Sequence, residues 1–142
     1  MNTKKDVTGG CHCKSVRYTV QDLPVVAGHC HCNNCKSFSG GGHASMCAVP
    51  ADTFSATGDV TIYSHVSDAG NAIHRHFCPI CSTTAYILNE GAPGIVFLMA
   101  GSLDDMEIFK PEMVVYTSRA PSWDLVDPSL QRFAEMAPIP GG

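Results

Sequence analysis

The stretch Gly9-Gly10-Cys11-His12-Cys13, together with Cys78-Pro79-Ile80-Cys81 much later in the chain, carries the strongest structural signal in the sequence. A Cys-x2-Cys turn presents two thiolates to one ion, a geometry typical of tetrahedral zinc sites. Residues i and i+2 of an extended chain point to the same side, so Cys11 and Cys13 can also reach one metal. A disulfide between these two cysteines would be strained. The two pairs therefore predict a closed, structural zinc site of four thiolates that ties an early strand to a distant turn.

A second group of cysteines, Cys30, Cys32 and Cys35, lies within six consecutive residues. Three thiolates this close together can face one ion and leave its fourth position unassigned, as catalytic zinc sites do. A substrate thiol in that position would be held as a thiolate by the cation. The pattern predicts a second zinc ion here, with the three cysteines as candidate catalytic residues.

The spacing alone is equally consistent with a second site that four protein ligands close. Cys47 lies on a predicted strand shortly after the group, and His29, His31 or His43 offers an alternative fourth ligand. A closed site would favour a non-catalytic zinc module with two structural sites that binds a partner protein. A third interpretation makes Cys47 a buried free cysteine that packs as a small hydrophobic residue.

Alternation of apolar and polar residues predicts a mostly β fold with few short helices. The predicted strands are 15–20, 25–31, 43–49, 59–63, 73–77, 83–88 and 95–100. Glycine-rich breakers lie between several of them. Short helical turns are predicted after Pro50, around 103–106 and at 129–135.

Size and composition indicate one domain spanning residues 1–142. The net charge is −4, from 9 basic and 13 acidic residues. Without a basic patch, binding to nucleic acid is not expected. The longest apolar run, residues 95–100, is far short of the roughly 20 residues that cross a membrane, so no membrane association is expected.

The chain start lacks the apolar run of a secretory signal, so we expect a cytoplasmic protein. In a reducing compartment, cysteines serve metals or catalysis more often than disulfides. Zinc is favoured over copper or an iron–sulfur cluster, although all three accept thiolate ligands.

The order of the cysteine groups, Cys-x-Cys, Cys-x-Cys-x2-Cys and Cys-x2-Cys, resembles the glutathione-dependent formaldehyde-activating enzyme family, which includes the centromere protein V branch. The similarity extends to blocks outside the cysteines: Ser39-Gly40, Phe54, Gly58, Tyr63, Phe77, Ala100-Gly101-Ser102-Leu103-Asp104, Lys110-Pro111 and Ala120-Pro121-Ser122-Trp123. The chain departs from the family at Ser82, where glycine is usual.

The resemblance implies an Mss4-like β fold and two zinc ions. One ion would be held by Cys11, Cys13, Cys78 and Cys81, and the second by Cys30, Cys32 and Cys35. The implied activity is carbon–sulfur lyase chemistry run as a synthesis, in which the glutathione thiol adds to formaldehyde and gives S-hydroxymethylglutathione.

Glutathione carries two carboxylates, so its binding site should offer cations. The candidate substrate-binding cations are Lys36, next to Cys35, and Arg75. Trp123 is a candidate wall of the pocket, although a role in the core or at the rim is the favoured interpretation.

Overall fold

The computed structural model describes residues 6–21 and 26–137, and strands dominate this part of the chain. The elements are β1 (Val7–Gly10), β2 (Arg17–Val20), β3 (Val26–Cys30), α1 (Asn33–Ser39), β4 (Ala44–Pro50), β5 (Phe54–Thr57), β6 (Thr61–Val66), β7 (Ala72–Phe77), β8 (Thr84–Asn89), β9 (Ile95–Met99), β10 (Met113–Val115) and β11 (Gln131–Arg132). Short 3-10 turns occupy Ala51–Thr53, Ala100–Ser102, Met106–Ile108 and Thr117–Arg119. The prediction of a mostly β fold is confirmed.

The strands form two sheets. The small sheet has the order β1-β2-β5, and the large sheet has the order β11-β10-β3-β4-β9-β8-β7-β6. Pairing is antiparallel throughout except at β10, which runs parallel to both β3 and β11. The large sheet therefore brings β3, early in the chain, next to strands from the C-terminal part.

One face of the large sheet packs against the small sheet and forms the main core. Strand pairing aligns Cys47, Leu98 and Tyr86 across β4, β9 and β8, so their side chains share this core face. They pack with Tyr18 and Val20 of β2, all of them buried. The period-2 alternation of the sequence has its physical cause in this burial.

The opposite face of the large sheet, the cysteine face, carries Cys30 of β3, Met46 of β4 and its partner Met99 of β9, with Arg75 further along on β7. Cys30 and Cys35 belong to a second apolar cluster on this side, separate from the main core. The two faces of one sheet thus carry different functions in the fold, a packed core on one side and a sulfur cluster on the other.

The seven predicted strands correspond to β2, β3, β4 and β6 to β9, and the first residue of the predicted strand 25–31 lies outside the described residues. The turn after Pro50 is confirmed, while the turn expected at 103–106 is replaced by two turns on either side of it. The sequence patterns missed β1, β5, β10, β11 and α1.

The helical turn expected at 129–135 is wrong, because the chain there forms β11. The N–H of Gln131 donates to the carbonyl of Glu112 at 3.2 Å, and the N–H of Phe133 donates to that of Val114 at 2.9 Å. Pairing with a distant strand therefore outweighs the local preference of this segment. No helix in residues 6–21 and 26–137 is long and apolar enough to cross a membrane.

We expect Leu98→Ala to destabilise the protein by about 2–5 kcal/mol, because Leu98 is fully buried between the two sheets and its loss leaves a cavity. Denaturant unfolding of the metal-loaded protein measures this cost. Leu125→Ala is the matched control: Leu125 is 89% exposed, and its replacement should change stability by less than about 0.5 kcal/mol. Equal effects of the two substitutions would contradict the assigned core.

Candidate metal centres

The first candidate centre lies where the small sheet meets the turn between β7 and β8. The sulfurs of Cys11, Cys13, Cys78 and Cys81 lie within 4.8 Å of one another. The separation is 3.6 Å between Cys11 and Cys13, and 3.7 Å between Cys13 and Cys78. Sulfurs about 2.3 Å from a tetrahedral zinc are roughly 3.8 Å apart, so this ligand set fits the ion.

Both turns that carry these cysteines close with a backbone hydrogen bond from the residue after the second cysteine to the carbonyl of the first. The N–H of Lys14 donates to the carbonyl of Cys11 at 3.0 Å, and the N–H of Ser82 donates to that of Cys78 at 2.9 Å. The residue after the second cysteine is left-handed in each turn, with φ of 70° at Lys14 and 60° at Ser82. Ser82 thus adopts a conformation that glycine accepts at lower cost.

Backbone amides point at the sulfurs from within the same turns. The N–H of Val16 donates to the sulfur of Cys11 at 3.2 Å, and those of Ile80 and Cys81 donate to the sulfur of Cys78 at 3.3 and 3.4 Å. Such donors stabilise the thiolate forms that a metal requires. The first turn closes this tightly because Gly10 has no side chain: a Cβ there would lie 2.1 Å from the carbonyl oxygen of Val16.

Two hydroxyl side chains that sequence reasoning missed also contact this centre. The hydroxyl of Ser15 lies 3.1 Å from the sulfur of Cys13 and 3.2 Å from that of Cys78. The hydroxyl of Thr83 lies 3.2 Å from the sulfur of Cys81 and is the main cause that lowers the pKa of this thiol to about 5. Each hydroxyl follows the second cysteine of its pair by two positions. This shared spacing could have been recognised in the sequence.

The second candidate centre is formed by Cys30, Cys32 and Cys35, whose sulfurs lie within 4.8 Å of one another. Cys30 ends β3, Cys32 is the N-cap of α1, and Cys35 follows in the first turn. The sulfur of Cys32 accepts the N–H of Cys35 at 3.3 Å, which fixes the helix start against the strand end. The strand end and the helix start therefore place the three ligands without any distant loop.

The three sulfurs of this second centre share negative charge unequally. Hydrogen bonding by Cys30 and Cys35 lowers the pKa of Cys32 to about 2. Hydrogen bonding to Cys32 in turn raises the pKa of Cys30 to about 12. Hydrogen bonding to Cys30 and Cys32 raises the pKa of Cys35. One thiolate is stable here, and a second or third requires a cation. The donor set thus has the chemistry of a metal site.

The structure separates Cys47 from this centre. Cys47 lies on the core face of β4, whereas Cys30 lies on the cysteine face of β3. Burial in the main core raises the pKa of the Cys47 thiol to about 11, as expected for a packed free cysteine. The interpretation in which Cys47 closes the second site is therefore wrong, because a side chain cannot reach through the sheet.

The histidines also lie apart from the three sulfurs. His29 faces the core side of β3 and bonds the hydroxyl of Ser45 at 2.8 Å, and burial lowers its pKa to about 4. His31 and His43 cluster with Asp124 instead. Among the described residues, no His, Cys, Asp or Glu joins the cluster of Cys30, Cys32 and Cys35 as a fourth donor.

The three candidate substrate-binding residues have different surroundings. The amine of Lys36 donates to the carbonyl of Arg119 at 2.7 Å and is engaged in tethering the C-terminal segment. Arg75 lies on the cysteine face, with its guanidinium 4.9 Å from the ring centre of Phe38 in α1. Trp123 is 70% exposed, so it is not part of the core, while its expected roles at the rim or as a wall of the pocket stay predictions.

Comparisons with known proteins agree with the sequence resemblance. A family model described as glutathione-dependent formaldehyde-activating enzyme matches residues 6–119. A crystal structure of a Rhodobacter sphaeroides protein is similar in fold, with a TM-score of 0.58 and 16% sequence identity, over 89% of this chain and 98% of that chain. No curated protein matches the sequence significantly.

We expect Cys47→Ala to keep both thiolate-bound metals, since Cys47 contributes to the core and to neither sulfur cluster. The cost should be about 1 kcal/mol of stability from lost packing. Metal analysis by mass spectrometry checks this, with Cys13→Ser as the control that should release metal. Loss of one metal equivalent from Cys47→Ala would contradict the separation of Cys47 from the second centre.

Ser82→Gly should stabilise the protein by about 0.5–1 kcal/mol, because glycine relieves the left-handed strain at a modest cost in unfolded-state entropy. Ser82→Ala is the matched control, since it removes the hydroxyl but keeps the Cβ that causes the strain. Thermal unfolding at fixed metal content compares the two variants. A gain with alanine as large as that with glycine would show that the backbone conformation is not the cause.

Proposed function

The chain belongs to the glutathione-dependent formaldehyde-activating enzyme family, and from this premise we propose that it is a zinc enzyme acting as a carbon–sulfur lyase or synthase on glutathione adducts. In the proposed reaction the glutathione thiol adds to formaldehyde or a similar small electrophile, giving S-hydroxymethylglutathione with formaldehyde. Two zinc ions would be present. One would be structural, at Cys11, Cys13, Cys78 and Cys81, and the other would lie at the catalytic residues Cys30, Cys32 and Cys35.

The observation that carries this proposal is the incomplete ligand set of the second centre. Zinc takes four ligands, and three protein ligands leave a position for water or substrate. In the described part of the chain, no His, Cys, Asp or Glu side chain joins Cys30, Cys32 and Cys35 as a fourth ligand. A thiol suits that position because the site is already sulfur-rich.

When bound there, zinc would lower the pKa of the glutathione thiol and keep its sulfur in the nucleophilic thiolate form. The sulfur lone pair forms the new bond to the aldehyde carbon, the carbon–oxygen double bond becomes single, and the resulting alkoxide takes a proton from water. Three anionic protein sulfurs make the site a weak Lewis acid. Thiol delivery is therefore the proposed role of the centre, ahead of carbonyl polarisation.

The three cysteines of the second centre differ in their exposure to solvent. Cys30 and Cys35 are buried and are packed by apolar side chains of β4, β9, β10 and the C-terminal segment. Cys32 is only partly buried, at the start of α1. Apolar packing lowers the local dielectric and strengthens the interaction between a bound cation and an entering thiolate.

Arg75 is the best placed cation for a glutathione carboxylate. It shares the cysteine face with Cys30 through the strand register, and its guanidinium lies between Phe38, three positions after Cys35, and Tyr63 at 5.1 Å. No carboxylate of the described residues pairs with Arg75. A half-buried guanidinium without a carboxylate partner favours bidentate binding of a carboxylate ligand.

The alternative, a non-catalytic module with two closed structural sites, depended on Cys47 as a ligand and is not favoured by its position in the core. All eight cysteines are free thiols in the structure. The proposed chemistry needs them reduced, which suits a cytoplasmic location.

The activity test uses exchange spectroscopy, because thiols add to formaldehyde without a catalyst. NMR at equilibrium should show that the zinc-loaded protein accelerates exchange between glutathione and S-hydroxymethylglutathione. Cys32→Ser should abolish the acceleration and release one zinc while the structural zinc stays bound, and Cys47→Ala should keep both. Acceleration that is absent in the native protein, or unchanged in Cys32→Ser, would overturn the proposal.

Arg75→Gln should raise the KM for glutathione about tenfold or more with a smaller effect on kcat, since loss of a charge-assisted contact costs roughly 1.5–3 kcal/mol. Steady-state kinetics at several glutathione concentrations measure the two constants. Arg132→Gln is the matched control, because Arg132 is exposed on β11. A KM for Arg75→Gln equal to that of the control would remove Arg75 from the substrate site.

A further inference from the structure

A third polar cluster belongs to neither sulfur group, although one of its members, His31, stands between Cys30 and Cys32 in the sequence. It consists of His31, in the link between β3 and α1, His43, directly before β4, and Asp124, in the C-terminal segment. One donor atom from each side chain lies within 4.8 Å of the other two. Three distant parts of the chain therefore converge on one point.

One of the close polar contacts in this cluster is not a hydrogen bond. The Nδ1 atom of His43 lies 2.7 Å from Oδ2 of Asp124. The Nδ1 atom of His31 lies 2.7 Å from the carbonyl oxygen of Gly42 and also 3.3 Å from the same Asp124 oxygen. A neutral imidazole has one proton for these two acceptors, so the second contact sets a nitrogen against an oxygen without a well-aligned hydrogen bond.

The donors are held in place and largely removed from water. Side-chain exposure is 1% for His31, 12% for Asp124 and 24% for His43. Gly42 lets the carboxylate approach the backbone, since a Cβ at this position would lie 2.4 Å from Cγ of Asp124. The Asp124 carboxylate is thus fixed between two imidazoles, and its free energy of desolvation calls for a compensating positive charge.

We propose that His31, His43 and Asp124 form a third metal site, which binds a divalent transition cation of the zinc and cobalt class. Two imidazole nitrogens and one carboxylate oxygen are the ligands that this class prefers, and they disfavour magnesium and calcium. Two ligands about 2.1 Å from a tetrahedral ion lie roughly 3.4 Å apart. The His31–Asp124 contact of 3.3 Å matches this spacing. The His43–Asp124 contact of 2.7 Å is a hydrogen-bond distance that lengthens when an ion replaces the proton.

Cation binding changes which nitrogen of each ring carries the proton. Each Nδ1 atom lies at hydrogen-bond distance from an oxygen that can only accept, so Nδ1 must give up its proton before its lone pair binds the ion, and the ring then keeps its proton on Nε2. The Asp124 carboxylate supplies one negative charge. The site joins the C-terminal segment to the β3–α1 link and to the start of β4, and it does not depend on the proposed enzymatic function.

The test is a cobalt titration of the full-length protein with both thiolate centres already filled with zinc. We expect one further equivalent of cobalt to bind, with d–d absorption and without the sulfur-to-metal charge-transfer bands that a thiolate site would give. Nitrogen-15 NMR of the zinc analogue should show the Nδ1 signals of both His31 and His43 change from the protonated to the metal-bound position. An unchanged ring spectrum with excess zinc would overturn the proposal.

Asp124→Asn should weaken this third binding event at least about tenfold and leave the two thiolate-bound zinc ions in place. The matched control is Glu90→Gln, which alters a more exposed carboxylate that pairs with His74 at 2.6 Å. Equal cobalt affinity in native protein and Asp124→Asn would overturn the assignment. Because the ring spectrum is recorded on the native protein, the assignment remains falsifiable even if Asp124→Asn fails to fold.

Discussion

The convergence of four sulfur atoms from two distant turns is the interaction on which the rest of the structure depends. Cys11 and Cys13 precede β2 of the small sheet, while Cys78 and Cys81 join β7 and β8 of the large sheet. A metal bound at this point would fix how the two sheets face each other, and so which side chains meet in the core between them. A cation that closes a chain loop of this length stabilises the fold mainly by restricting the unfolded chain. It also balances the charge of thiolates that would otherwise repel one another.

The second sulfur centre has a different physical character because it is built locally. A strand end and a helix start supply all three sulfurs, so the centre needs no long-range closure, and a zinc ion bound there would keep one coordination position for solvent or substrate. The sheet itself keeps the two kinds of cysteine apart. Cys30 and Cys47 lie on neighbouring strands, but alternation places their side chains on opposite faces. A single β-sheet thus separates a packed core thiol from the thiols of a candidate metal centre.

Much of this organisation could be predicted from the sequence. Seven strands followed from period-2 alternation, and the grouping of the cysteines followed from their spacing. Elements held by distant partners could not be predicted in this way: β10 and β11 are short and form by parallel pairing, and α1 has too few residues for a helical period. The side on which Cys47 lies depends on register across β3 and β4, which composition does not encode. The role of Asp124 could not be predicted from the sequence, because its partners His31 and His43 come from two other segments.

The central claim is that one thiolate centre has four cysteine ligands and the other has three. X-ray absorption at the zinc edge, recorded on protein carrying two zinc equivalents and no glutathione, measures this directly. The account predicts an average of about 3.5 sulfur neighbours and about half a nitrogen or oxygen neighbour per zinc. An average of about four sulfurs, with no lighter neighbour, would mean that both centres are closed by cysteine and would contradict it.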